Sequence, residues 1–173
     1  VDKTRFVYQL AKTGSYYFLS RPRRFGKSLL ISTLQAYFEG KKDLFKGLAI
    51  EQLEKDWTVY PVLHLDLNAR NYEDENSLLE ELNKHLEIWE QQYGSPYGDR
   101  APEERFFHVI RLAHEKTGQR VVILVDEYDK PMLQAIENDE LQRVYRNQLK
   151  PFYGVLKSMD GYIKLAFLTG VTK

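Results

Sequence analysis

The order of apolar and polar positions divides the chain into short alternating segments. From Asp2 to Lys12, Phe6, Val7 and Leu10 recur at helical spacing, and Gly14 stands where such a helix stops. Tyr16 to Leu19 is a short aromatic-rich run that predicts a strand. Leu29 to Phe38 predicts a helix through Leu30, Leu34, Tyr37 and Phe38, ended by Gly40. The polar stretch from Lys41 to Asp56 predicts one or two short helices. Val59 to Leu67 predicts a second strand, with Pro61 near its start, where a missing N–H is best tolerated. Leu78, Leu82, Leu86, Trp89 and Tyr93 mark a long helix, and a further helix is expected from about Glu103 to Lys116. Val121 to Val125 is an unbroken run of β-branched and leucine residues, which suits a strand buried on both faces. Leu141, Tyr145, Leu149, Phe152 and Leu156 stripe a helix from about Asp139 to Lys157, which Pro151 is expected to kink or split. Ile163 to Leu168 predicts the last strand.

Strands that alternate with helices imply a three-layer α/β fold with a mainly parallel sheet and right-handed crossovers. Ligands in such sheets bind beyond the C-terminal ends of the strands, so the chemistry is sought there. A length of 173 residues suits one domain over 1–173 with a sizeable core. The 25 basic and 25 acidic residues cancel, so no global field draws the chain to nucleic acid or to an anionic membrane. The absence of cysteine excludes disulfides, thiolate metal sites and thiol nucleophiles, and fits a reducing cytoplasm. No apolar run is long enough to span a bilayer, and no signal peptide precedes the first helix. The chain begins at Val1 rather than Met and stops directly after a strand-like run, so it is expected to be a piece of a longer protein.

The first strand runs into the loop "SRPRRFGKS", Ser20 to Ser28. Gly26-Lys27-Ser28 is the tail of a phosphate-binding loop, although Arg21 stands where the general pattern has its first glycine. Gly26 lets backbone approach an anion, and the N–H groups of Gly26, Lys27, Ser28 and Leu29 open the next helix towards it. In that role Lys27, at an exposed strand–helix junction, reaches the β- and γ-phosphates, and the Ser28 hydroxyl binds Mg²⁺. A basic turn capped by Ser28 is the competing account. The third strand delivers Asp126 and Glu127 to the sheet edge in "VVILVDEYDKP". Asp126 is the candidate for holding Mg²⁺, and Glu127 for polarising the water that attacks a γ-phosphate. Two solvated acids opening a loop are the plainer alternative, but the order and separation of the two motifs favour the joint site. Thr169, at the end of the fourth strand in "KLAFLTG", is placed to bond the attacking water or the γ-phosphate, or simply begins a turn. Asp66 and Asn68 end the second strand and are open between a supporting polar role and a loop start. His64, His85, His108 and His114 have no metal-ligand spacing.

The segments "VDKTRFVYQL", "YYFLSRPRRFGKSLLISTLQAYFEGKKDLFKGLAI", "VVILVDEYDKP" and "AFLTGVTK" together resemble the AAA-ATPase-like family. The resemblance covers nearly the whole chain and is thinner from about Glu51 to Gln119. It identifies RPRRFGKS as the family's form of the phosphate loop, so Pro22, Arg23, Arg24, Phe25, Gly26, Lys27, Ser28 and Leu29 are the expected nucleotide-binding residues. The resemblance supports ATP binding more than turnover; with the strand-end readings above, ATP and Mg²⁺ are the expected ligands, Lys27, Glu127 and Thr169 the expected catalytic residues, and Ser28 and Asp126 the expected metal ligands. It also implies the additional-strand P-loop fold, with sheet order 5-1-4-3-2. Four of those strands are visible, so a fifth strand, a helical lid and a C-terminal nuclease-like domain of the PD-(D/E)XK type are expected beyond Lys173.

Arg21, Arg23 and Arg24 have three roles open to them: phosphate contacts, salt bridges to acids such as Glu127 and Asp129, or a nucleic-acid backbone. Arg143 and Arg146 lie on a helix face and read as solvated. The leading functional expectation is an Mg-ATP-binding hydrolase that powers or gates an attached module. A nucleotide-dependent switch or assembly platform with little turnover is the alternative, and homo-oligomerisation is compatible with either. A nucleic-acid-binding module built on the RPRR patch is disfavoured by zero net charge.

Overall fold

The computed structural model describes residues 1–20, 26–95 and 98–171. Its elements run α1 (Thr4–Thr13), β1 (Tyr16–Ser20), α2 (Lys27–Phe38), a 3₁₀ turn (Lys42–Phe45), α3 (Ala49–Leu53), β2 (Val62–Asp66), α4 (Ser77–Tyr93), α5 (Pro102–Thr117), β3 (Val121–Asp126), α6 (Lys130–Gln134), α7 (Asp139–Ser158), a second 3₁₀ turn (Asp160–Tyr162) and β4 (Ile163–Gly170). All strand pairs are parallel, and the order across the sheet is β1-β4-β3-β2. The 1-4-3-2 part of the expected order is thus present. The sheet is that of a P-loop NTPase-like domain.

Helices cover both faces, as an all-parallel sheet requires. On one side Leu63, Leu65, Val121, Ile123 and Val125 pack against α4, α5 and α7, with Phe106 and Phe152 stacked at 4.3 Å between ring centres. On the other, Val122, Leu124, Leu165 and Phe167 pack against α1 and α2 through Val7, Leu10, Ile31, Leu34 and Phe38. Every residue of β3 is buried, which is why its sequence is an unbroken apolar run. β4 changes face part-way. Ile163 and Leu165 lie two apart yet serve opposite cores, because a bulge opposite Val121/Val122 inserts Lys164 into the strand.

Two expectations need correction. α7 is not split at Pro151 but runs as one helix through it. Pro151 and Asn147, whose carbonyl loses its intrahelical donor, are both exposed, so water can serve that carbonyl. β2 is shorter than the expected 59–67: Tyr60 N–H instead donates to Phe38 O at 2.8 Å, and Pro61 contributes only its carbonyl, to Val122 N–H at 2.9 Å. The short α6 was not anticipated; Pro131 in its first turn is the local signal for it.

Candidate functional site

The C-terminal ends of β1, β3 and β4 meet the N-terminus of α2. Gly26 caps α2 with φ of 78°, a left-handed conformation that a side chain strains. A Cβ there would meet nothing within 4 Å, so backbone geometry rather than space selects glycine. The first bond of the helical ladder here is Leu30 N–H to Gly26 O, 3.0 Å, leaving the amides of Ser28 and Leu29 at the positive end of the helix. Ser28 and Leu29 are both exposed, and the Ser28 hydroxyl donates to Asp126 Oδ2 at 3.0 Å.

Asp126 is buried at the last position of β3 and receives a second hydroxyl: Thr169 Oγ1 donates to its Oδ1 at 2.9 Å. Thr169 is fully buried and also accepts from Glu127 N–H at 3.2 Å, while its carbonyl accepts from Tyr128 N–H at 2.9 Å. The loop after β3 is therefore stitched to the end of β4. Lys27 completes the cluster. Its Nζ lies 2.8 Å from Glu127 Oε1 and donates to Gly170 O at 3.2 Å.

One detail departs from expectation. Lys27 is not at an exposed junction: it is 4 % exposed, and Glu127 and the end of β4 close over it. Asp126 and Glu127 do not continue a common strand pleat. β3 ends at Asp126, and Glu127 adopts φ of 58°, uncommon for a residue with a side chain.

The structure brings together Lys27, Ser28, Asp126, Glu127 and Thr169, with Gly26 and Leu29 at the same helix end. Pro22, Arg23, Arg24 and Phe25, with Arg21, lie outside the described residues. Asp66 and Asn68 form a local turn, Asn68 N–H donating to Asp66 Oδ1 at 2.9 Å, and the Asn68 carbonyl accepts from Lys130 Nζ at 2.7 Å. Two residues outside the expected set join the cluster. Asp129, 4 % exposed, accepts from Val171 N–H, and Gly170 supplies the carbonyl on Lys27. The acid after "DEY" and the glycine after Thr169 were the available signals for both. A cleft of about 700 Å³ opens elsewhere, along the edge strand β2 between Gln35 and Trp89, and none of the clustered residues lines it.

A hydroxyl and a carboxylate 3.0 Å apart are hard oxygen donors, the kind Mg²⁺ takes alongside phosphate oxygens and water. The donor set therefore fits that ion. Lysine beside helix-terminal amides fits a phosphate chain.

A family profile described as "Predicted AAA-ATPase" matches residues 1–173. The chain belongs to the predicted AAA-ATPase family. A relative, the "Uncharacterized protein in vnfD 5'region" of Azotobacter chroococcum mcd 1, is 42% identical over 174 residues, covering 100% of this chain and 34% of that protein. The chain thus spans about a third of the length of the curated relative it matches. For a predicted AAA-ATPase the cluster stands where a parallel sheet offers its ligand site, beyond the strand C-termini. Among the described residues no helix of this AAA-ATPase family member is long and apolar enough to cross a membrane.

Proposed function

We propose that this chain binds Mg-ATP at the α2–β3–β4 cluster and hydrolyses it to drive or gate the longer protein of which its relative is an example. The observation that carries the reading is the continuous set Ser28–Asp126–Thr169 with Lys27–Glu127 beside it, all at one sheet edge. Lys27 and the amides of Ser28 and Leu29 bind phosphate. Ser28 and Asp126 hold the magnesium ion, which neutralises phosphate charge when bound. Glu127 takes the proton of the attacking water, and Thr169, buried and bonded to the Asp126 carboxylate and the Glu127 N–H, holds those two acids in place. The sequence carries no Asn/Thr-Lys-x-Asp motif for guanine, which favours ATP over GTP.

The alternative, a switch with little turnover, draws on one specific feature: Glu127 is engaged by Lys27 rather than facing open space. One pair of measurements separates the two. In the full-length protein, Mg-ATP raises the melting temperature, and a ligand at a hundred times its Kd adds about 2.7 kcal/mol. Glu127→Gln then binds Mg-ATP at least as tightly and loses roughly 10²–10⁴-fold in hydrolysis. No stabilisation by any nucleotide sinks the binding reading. Equal hydrolysis by parent and Glu127→Gln removes Glu127 as the base and leaves the switch.

A further inference from the structure

We propose that Asp129 is a positioning residue for Lys27 and acts through the Gly170–Val171 peptide. As a statement about phosphate binding it rests on the nucleotide reading above; as a statement about Lys27 it stands on geometry alone.

Val171 N–H and Gly170 O belong to one planar peptide unit. No described peptide bond is cis, so the N–H and C=O of this unit point in opposite directions. One edge donates to the Asp129 carboxylate, with Val171 N at 3.0 Å from Oδ2 and 3.3 Å from Oδ1. The other edge accepts from Lys27 Nζ at 3.2 Å. An anion, a peptide dipole and a cation therefore stand in line. A buried carboxylate on the N–H side polarises the amide and strengthens its carbonyl as an acceptor. It also opposes rotation of the peptide plane, which would carry the carbonyl away from Lys27.

Two independent observations support this use of Asp129. The residue sits at the N-cap position of α6, where an aspartate usually caps its own helix, yet it makes no cap bond there. Its carboxylate is instead engaged with Val171, 42 residues away in sequence. Gly170 is also pressed against the same segment: a Cβ would lie 2.6 Å from the Tyr128 ring and 2.9 Å from Asp129 Oδ1. The peptide is thus gripped by the loop that also carries Asp126 and Glu127. Glu127 Oε1 and Gly170 O both anchor Lys27, and Asp129 sets the Gly170 contact.

The test compares Asp129→Ala with Asp129→Asn, which keeps an oxygen to accept from Val171 N–H but lacks the charge. In the nucleotide-free full-length protein, lysines are labelled with an amine-reactive ester and each site's rate is read by mass spectrometry. Loosening its anchor raises the Lys27 rate several-fold in Asp129→Ala, and less in Asp129→Asn. Exposed Lys41 and half-buried Lys164, away from the site, keep the parent's rates, a pattern that general loosening of the fold does not produce. In the same proteins ATP affinity falls roughly tenfold in Asp129→Ala, about 1.4 kcal/mol, and the loss is largely recovered in Asp129→Asn. If Asp129→Ala does not fold, the comparison of Asp129→Asn with parent at Lys27 decides. An unchanged Lys27 rate in the folded variant, or a rise shared equally by Lys164, overturns the proposal. A parent that binds no nucleotide overturns the nucleotide reading and leaves the labelling result to judge Asp129.

Discussion

Removing the Lys27 charge should destabilise the nucleotide-free protein, and the buried pair sets the size of the effect. Lys27 is 4 % and the Glu127 side chain 10 % exposed, with 2.8 Å between the charges. Lys27→Met keeps most of the stem's volume, so the cavity term is small. What remains is a carboxylate in a poorly hydrated site without its ammonium. Breaking a buried pair in this way costs about 3–5 kcal/mol. Glu127 sits at a loop beside the strand ends, where water can reach it after the change, so the low end, about 3 kcal/mol, is expected. At 2–4 °C per kcal/mol for a chain of this size, the melting temperature falls by roughly 6–12 °C. Urea denaturation without nucleotide measures the same loss, and Glu127→Gln completes a double-mutant cycle. The double variant, with neither charge, should be less damaged than the sum of the singles by 1 kcal/mol or more, as expected for contacting groups. Additive singles, or a Lys27→Met protein as stable as its parent, would show that the pair contributes nothing and that Lys27 is effectively solvated.

Three further outcomes follow from the packing. Gly170→Ala places a methyl 2.6 Å from the Tyr128 ring and should cost about 1–3 kcal/mol in urea denaturation, with a null effect refuting the close approach. Arg105 forks onto Glu90, Nε to Oε2 at 3.0 Å and Nη2 to Oε1 at 2.6 Å, both side chains buried. Arg105→Ala should therefore cost about 3–5 kcal/mol, and Arg105→Lys, without the fork, should restore little of it by thermal melting. Burial lowers the His64 pKa below its ordinary 6.5, outweighing the nearby carboxylates of Asp66, Asp126 and Glu39. Because the folded state disfavours the imidazolium, His64's contribution is complete above about pH 6.5 and is lost as pH falls through the lowered folded value. His64→Gln should flatten stability against pH across that window, and an unchanged slope would show that His64 titrates as if exposed.

The fold was legible because burial follows local pattern. β3 is apolar at every position since helices cover both of its faces, and α7 shows its stripe since only one side meets the core. The bulge in β4 was not legible: Lys164 can be accommodated in the pleat or inserted, and only the pairing with β3 decides. The clustered residues were readable as types at strand ends, but their burial was not. A Gly-Lys-Ser turn reads as exposed until the end of β4, some 140 positions on, is folded over it. The partner of Asp129 was hidden for the same reason. Local rules make an acid before a short helix its cap, whereas this one bonds a distant backbone amide.

The left-handed Glu127 shows how two adjacent acids are given different partners. Such a conformation costs a side-chain-bearing residue roughly 1 kcal/mol or more, and it persists only where surrounding contacts fix it. Here they are identifiable: Glu127 N–H on Thr169 Oγ1, Tyr128 N–H on Thr169 O, and the carboxylate on Lys27. Had the pleat continued, residue 127 would point to the opposite face from Asp126. The turn instead brings its carboxylate to the ammonium, while Asp126 keeps both oxygens on the hydroxyls of Ser28 and Thr169. On the proposed reading this sorting has a consequence for the reaction. Phosphate and Glu127 compete for one ammonium, so the event that draws Lys27 to nucleotide also frees Glu127 to accept a proton. Without nucleotide the base is occupied. Binding and activation are then a single exchange of partners at Lys27, and the residues that fix where Lys27 rests, Glu127 on one side and the Gly170 carbonyl on the other, set how readily the exchange begins.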